Sequence, residues 1–196
     1  MKKSTIILIS ILSLVVILIL WSIGSYNGLV STQEDVNEQW ANVQNQYQRR
    51  ADLIPNLVAT VKGYATHESS TLQGVISARA KATQITLDPD KMTPEKLQQY
   101  QAAQGQLSSA LGKLLMISEN YPDLKANQNF IELQAQLEGT ENRISVERNR
   151  FNEVSKEYNK SIQSFPKNII ANLFGFEKKV YFEADKSSQE APKVQF

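Results

Sequence analysis

Apolar residues recur every seven positions along the stretch from Leu29 to Tyr64. Alternating steps of four and three residues fall on Leu29, Gln33, Val36, Trp40, Val43, Tyr47, Arg50, Ile54, Leu57, Val61 and Tyr64. A repeat of this period places its members on one face of a helix. The stretch therefore predicts one long helix whose apolar face is interrupted by Gln33 and Arg50.

A second stretch repeats the pattern near the other end of the chain. Its positions are Phe130, Leu133, Leu137, Thr140, Ile144, Glu147, Phe151, Val154, Tyr158, Ser161 and Phe165. If the two helices pack antiparallel with Tyr64 beside Phe130, Arg50 and Glu147 lie within about one helical turn of each other. We therefore expect a buried or half-buried Arg50–Glu147 ion pair. Such a pair sets the register of the helices, or else lines an internal site.

Two shorter amphipathic segments, 70–85 and 94–120, lie between the long helices, and no strand-type alternation is present. The pattern predicts an all-α protein, with an N-terminal transmembrane helix followed by an antiparallel four-helix bundle of two long and two shorter helices. We expect Pro55 to kink the first helix without ending it, because the apolar register continues beyond it. Gly24 and Gly28 predict a bend or a loosened turn where the anchor meets the bundle.

The segment Ile6–Ile23 contains 18 residues without a charge, which is enough to span a membrane, with Trp21 and Tyr26 as interfacial anchors. A cleaved signal peptide is the alternative, but the apolar run is long for one and the residues around Trp21 make a poor cleavage site. Lys2 and Lys3 precede the segment, so the positive-inside rule predicts a cytoplasmic N-terminus and a domain outside the cytoplasmic membrane.

The C-terminal part combines lysines with apolar residues of helical spacing. The apolar positions are Ile169, Ile170, Leu173, Phe174 and Phe176. Two interpretations stay open: an interfacial helix in the lipid headgroup region, or a hydrophobic plug folded under the bundle.

These patterns divide the chain into four parts. Residues 1–25 form the anchor, 26–165 the helical bundle, 166–183 a C-terminal amphipathic segment and 184–196 a polar tail that we expect to be disordered.

The composition of the chain excludes several kinds of functional site. The 196-residue chain has a formal net charge of +1, no cysteine and one histidine, which excludes disulfides, thiolate catalysis and a Cys/His zinc site. It shows no basic run with interleaved aromatic residues, so we expect no nucleic-acid partner. A phosphate-binding glycine loop and a nucleophile–base pair at recognisable spacing are also missing. We therefore expect no enzymatic activity, no cofactor and no metal.

Several short motifs carry a resemblance. They are Trp40–Val43, Gln46–Val58, Tyr64–Glu68, Tyr121–Asn127, Glu141–Ile144, Phe151–Asn152, Tyr158–Asn159, Gly175–Phe176 and Tyr181–Glu183. With the N-terminal apolar helix, they resemble the LemA family of bacterial proteins over nearly the whole chain. The resemblance implies a membrane-anchored helical bundle, and the family has no established enzymatic activity or agreed molecular function. Some descriptions of the family place the short N-terminus outside the cell, whereas the two lysines here predict the cytoplasm.

Polar residues within these motifs form a further candidate site. They are Arg49, Asp52, Glu141, Asn142, Arg143, Asn152 and Asn159. They would form a polar layer beside Arg50 and Glu147, or a docking face for another chain. Asn152 and Asn159 are seven positions apart and share one helix face, where amides set register, cap a neighbouring segment or contact a partner.

We interpret the chain as a non-enzymatic scaffold or adaptor of the bacterial inner membrane. Its expected partners are membrane lipid, further copies of itself as a homo-oligomer, and another envelope protein, since an anchor confines weakly interacting copies to one plane. The alternative is an envelope sensor or ligand-binding protein with an internal polar site near Arg50 and Glu147.

Overall fold

The computed structural model describes residues 3–65 and 67–183, with Thr5 described by its backbone alone. Six helices follow in order: α1 Lys3–Lys62, α2 Ser69–Gln84, α3 Pro94–Ser118, α4 Pro122–Lys125, α5 Gln128–Gln163 and α6 Lys167–Phe174. No strand occurs in these two ranges, so the all-α class is confirmed for them. The tail predicted to be disordered, 184–196, lies outside the described residues.

Helix α1 joins the apolar N-terminal segment to the folded domain. Its 60 residues correspond to about 90 Å. Its N-terminal part is long and apolar enough to cross a membrane. The helix continues through Gly24 and Gly28, so the loosened turn predicted there does not form. Each glycine costs only about 1 kcal/mol, and ordered helix on both sides outweighs this.

Pro55 lies inside α1 and does not end it, as predicted. Proline has no N–H, so the carbonyl oxygen of Ala51 loses its normal helical partner. The side chain of Arg79 in α2 donates Nε–H to that oxygen at 2.7 Å. The carbonyl group that Pro55 leaves without a partner in α1 thus forms a hydrogen bond between α1 and α2.

Helix α5 lies along α1. Hydrogen bonds join Gln39 to Glu147 and Arg50 to Glu141, and Tyr64, just beyond α1, is bonded to Asn127, the N-cap of α5. These contacts run in opposite sequence order. Helices α2 and α3 pack on each other, and α2 also contacts α1.

The core consists of two clusters of buried residues. We call the cluster nearer the apolar segment the aromatic cluster, because six of its fifteen buried residues carry rings: Trp40, Tyr47, Tyr100, Phe151, Tyr158 and Phe182. The other is mainly aliphatic and includes Ile54, Leu57, Leu107, Leu114 and Leu137. Along α1, Arg50 falls between Tyr47 of the first cluster and Ile54 of the second. A buried polar layer therefore separates the two parts of the core.

Candidate functional site

The guanidinium group of Arg50 is the centre of the polar layer. Its side chain is 2% exposed and donates from Nη1 to Ser108 Oγ at 2.7 Å and to Glu141 Oε2 at 2.6 Å. Nη2 donates to Gln104 Oε1 at 2.7 Å. The Tyr47 ring lies 5.2 Å from the guanidinium carbon, as in a cation–π contact. One side chain of α1 therefore binds both α3 and α5.

Gln104 extends this network to α2. Its amide Nε2 donates to the carbonyl oxygen of Ala82 at 3.2 Å. Ala82 lies in the last turn of α2, where carbonyl groups have no partner within the helix. The network of Arg50, Gln104, Ser108 and Glu141 thus connects all four of the longer helices.

The predicted Arg50–Glu147 ion pair is wrong. Glu147 instead accepts from Gln39 Nε2 at 2.6 Å and pairs with Arg150 at 3.2 Å. Arg50 binds Glu141, which lies six residues, or about 9 Å of helix, before Glu147. Gln39, the partner of Glu147, lies eleven residues, or about 16 Å, before Arg50. Tyr64, which the apolar repeats place beside Phe130, is bonded to Asn127, so the helices are offset from the expected register by about three residues. At the level of Arg50 the available carboxylate is that of Glu141, whose side chain is 54% exposed.

Most of the predicted polar layer does not reach this network. Arg49, Asp52, Asn142 and Arg143 are exposed, and Asp52 accepts a hydrogen bond from Gln48 on its own helix. Glu141 is the member of the predicted group that touches Arg50. Gln104 and Ser108 were not predicted from the sequence. Gln104 nevertheless interrupts the apolar repeat of α3 between Tyr100 and Leu107, as Arg50 interrupts that of α1, and this interruption was the signal that could have identified it.

Asn152 and Asn159 hold an extended C-terminal segment, residues 176–183, which we call the strap. Asn152 donates to the carbonyl oxygen of Phe182 at 2.9 Å and accepts from the N–H of Phe182 at 2.8 Å. Asn159 makes the same pair of hydrogen bonds with Lys179, both at 2.8 Å. Each side-chain amide thus pairs with one backbone residue of the strap.

The spacing of the two asparagines matches the geometry of the strap. Seven helical residues rise about 10.5 Å, and three extended residues, from Lys179 to Phe182, span about 10 Å. Asn152 and Asn159 therefore bind strap residues three apart. Register, a cap on a neighbouring segment and a partner contact were all open for these amides, and their hydrogen bonds in the structure are to a neighbouring segment.

Side-chain contacts reinforce the strap. Lys179 Nζ donates to Asp90 Oδ1 at 2.6 Å and lies 5.8 Å from the Tyr158 ring centre. The hydrogen bond from Lys179 lowers the pKa of Asp90, and burial raises the pKa of Tyr158 to about 12. Phe182 packs against the rings of Trp40 and Phe151, with centroids 5.9 and 5.5 Å away.

The residues predicted at the membrane interface divide between two environments. Ile170 is buried and Phe176 is half-buried against the aromatic cluster, as a plug would be. Three others of the C-terminal segment are exposed, namely Ile169, Leu173 and Phe174. Tyr26 of α1 contacts Phe174 and Phe176, with ring centroids 4.8 and 5.7 Å away, and Trp21 is 37% exposed.

These arrangements are suited to holding helices together. Both Nη atoms of Arg50 are bonded to protein groups, and the asparagine amides are bonded to backbone. Within residues 3–65 and 67–183, no cluster of three or more carboxylate or imidazole groups is placed to hold a metal ion.

Comparison with known proteins identifies relatives over most of the chain. Protein LemA of Metamycoplasma hominis is 25% identical over 162 residues, covering 83% of this chain and 70% of the relative. Magnetosome protein MamQ 2 of Paramagnetospirillum magneticum is 27% identical over 201 residues, covering 94% of this chain and 73% of the relative. MamQ of Magnetospirillum gryphiswaldense matches with the same identity and coverage. The family model described as LemA family matches residues 39–196, and the chain belongs to the LemA family.

Proposed function

We propose that this protein is a non-enzymatic scaffold of the bacterial envelope, anchored in the inner membrane, that associates with copies of itself through exposed helix faces. The observation that carries the proposal is the continuity of α1 from its apolar segment into the core. A domain built on an extension of its own membrane helix stays at a defined distance from the bilayer. We interpret α1, α2, α3 and α5 as an antiparallel four-helix bundle mounted on that helix.

The buried polar network favours a structural role over a ligand site. A buried cation specifies which helices pair and at what register, because misaligned packing leaves it without acceptors. Arg50 uses three side chains from two other helices as acceptors. The alternative sensor would need Arg50 and Glu147 in one internal site, and these residues bind different partners.

One face of α5 is suited to contact with another chain. Asn142, Arg143 and Val146 are exposed at helical spacing, and Val146 is 47% exposed. Protein interfaces of this mixed kind combine an apolar centre with a polar rim that includes arginine. Confinement to one membrane plane raises the effective concentration of copies, so a small interface of this kind is sufficient.

Cysteine crosslinking in intact membranes tests the proposal. The chain has no cysteine, so Val146→Cys introduces a single reactive thiol. We expect oxidation to yield disulfide-linked dimers of this variant. Ile76→Cys is the matched control, because Ile76 is 46% exposed on α2. Equal, low dimer yields from both variants would refute self-association through this face of α5.

The same variant tests orientation. We propose that the N-terminus is cytoplasmic and that the domain lies outside the inner membrane, as Lys2 and Lys3 predict. A membrane-impermeant maleimide should then label Val146→Cys in cells whose outer barrier has been opened. Labelling that requires lysis of the inner membrane would contradict this orientation.

A further inference from the structure

Four large apolar side chains are exposed in the turn after α5 and along α6. Phe165 is 80% exposed, Leu173 73%, Phe174 58% and Ile169 55%. Helix α6 is buried on its other side through Ile170 and Ala171. A group of exposed apolar residues of this size indicates a surface that a membrane or another molecule covers.

This surface lies beside the membrane segment of α1. Phe174 contacts Tyr26, three residues beyond the end of the apolar run Ile6–Ile23. Phe165 lines a groove together with Trp21, which belongs to that run. The two contacts place the exposed patch alongside the last turns of the membrane helix.

The depth of the patch follows from the length of that run. Eighteen helical residues rise about 27 Å, close to the roughly 30 Å thickness of a hydrocarbon core. If Ile6–Ile23 fills the core, Trp21 lies at its boundary with the headgroups, where tryptophan is favoured. Phe165 lines the same groove as Trp21, which places it near this boundary.

The groove itself carries cationic and hydroxyl groups. It has a volume of about 330 Å³, and its lining includes Lys160, Lys167, Ser161, Ser164 and one acidic residue, Glu157. Two lysines against one carboxylate leave a net positive charge at headgroup depth. Lysine ammonium groups bind phosphate as point charges, and the Ser161 hydroxyl group is available as a hydrogen-bond donor, whereas that of Ser164 donates to the carbonyl oxygen of Lys160 at 2.7 Å.

We propose that α6 and the Phe165 turn form a second membrane contact, in which the groove at Trp21 binds the phosphate of an anionic phospholipid. Ile169, Leu173 and Phe174 enter the interface of the leaflet through which α1 leaves the membrane. The proposal rests on the membrane anchoring described above and adds a lipid class to it. A transmembrane helix and an interfacial helix together fix the tilt of the domain relative to the bilayer, whereas a transmembrane helix alone allows the tilt and rotation of the domain to vary.

Site-directed fluorescence of the full chain in lipid vesicles tests the apolar part. An environment-sensitive label on Leu173→Cys should be quenched by lipids brominated near the headgroup and shielded from aqueous iodide. The same label on Met116→Cys should behave in the opposite way, because Met116 is 72% exposed in the last turns of α3. A Leu173 label as open to iodide as the Met116 label would overturn the proposal. A label shielded from iodide yet unaffected by brominated lipid would indicate a protein cover, and would overturn it too.

Lipid selectivity tests the groove. Vesicles of phosphatidylcholine mixed with an equal part of phosphatidylglycerol should yield protein that retains phosphatidylglycerol in native mass spectrometry. Replacing both Lys160 and Lys167 by Gln should lower this preference about tenfold. The control replaces Lys81 and Lys113, which line a different groove between α2 and α3, and should leave the preference unchanged.

Competition with free phosphate distinguishes a phospholipid headgroup from a free phosphate ion as the ligand of the groove. Added inorganic phosphate should not displace the lipid, because acyl chains beside Phe165 contribute to binding. Complete displacement of the lipid by phosphate would show that the groove is a simple anion site. An equal loss of lipid preference in the two lysine-pair variants would show general charge attraction. Either result overturns the lipid site. Crosslinking at Val146 is independent of these experiments, so their failure leaves the scaffold proposal intact.

Discussion

Removing the charge of Glu141 tests the polar layer directly. The variant Glu141→Gln leaves the guanidinium group of Arg50, 2% exposed, without a carboxylate. Breaking a fully buried ion pair costs roughly 3–5 kcal/mol, whereas an exposed pair contributes about 0–1 kcal/mol. The side chain of Glu141 is 54% exposed, and Gln104 and Ser108 remain as neutral acceptors. We therefore expect a loss of about 2 kcal/mol in the free energy of unfolding.

The variant Glu147→Gln is the matched control. Glutamine keeps an oxygen that accepts from Gln39, and the lost pair with Arg150 involves an arginine that is 61% exposed. We expect this change to cost about 0.5 kcal/mol or less, as is usual for a surface ion pair.

Thermal unfolding of the full chain in detergent measures both effects. The chain has two tryptophans, so a Trp21→Phe background leaves Trp40, in the aromatic cluster, as the single reporter. For a protein of this size, 1 kcal/mol corresponds to roughly 2–4 °C in Tm, which predicts a decrease of about 4–8 °C for Glu141→Gln. A decrease for Glu147→Gln equal to or larger than that for Glu141→Gln would refute the assignment of the partner of Arg50.

Two further predictions concern contacts between elements. Arg79→Ala should cost about 1–2 kcal/mol, because the Ala51 oxygen loses its charged donor. In a Pro55→Ala background the restored N–H bonds that oxygen, so the same change should cost much less; equal costs in a double-mutant cycle would contradict this role. Asp90 has a lowered pKa in the folded protein, so its contribution is present above the ordinary value of 3.8 and is lost as the pH falls through the folded value. The protection factor of the Lys179 amide against hydrogen exchange, which corrects for the intrinsic pH dependence of exchange, should decrease over that acidic range. Asp90→Asn should remove this decrease, and an identical decrease in the variant would exclude the pair as the cause.

The helices follow from local patterns in the sequence. A seven-residue apolar repeat needs one helix face to be buried, whatever packs against it, so α1 and α5 are predictable from their own residues. The membrane segment at the start of α1 is also predictable from its own residues, because only its length and lack of charge decide whether it can cross a bilayer. The shared face of Asn152 and Asn159 is local too, because they are seven positions apart on one helix, but this spacing left open whether the amides set register, cap a neighbouring segment or contact a partner.

The partners of these helices depend on tertiary structure. Whether Arg50 meets Glu141 or Glu147 is decided by an offset of a few residues between two helices, and many apolar registers bury similar surface. The strap has no periodic pattern, because an extended segment held by side-chain amides needs only a free backbone. The sequence by itself therefore determined which segments are helical and which segment is apolar enough to cross a membrane. Tertiary structure alone decided the ion-pair partner and the path of the strap, because both depend on the relative displacement of elements far apart in the chain.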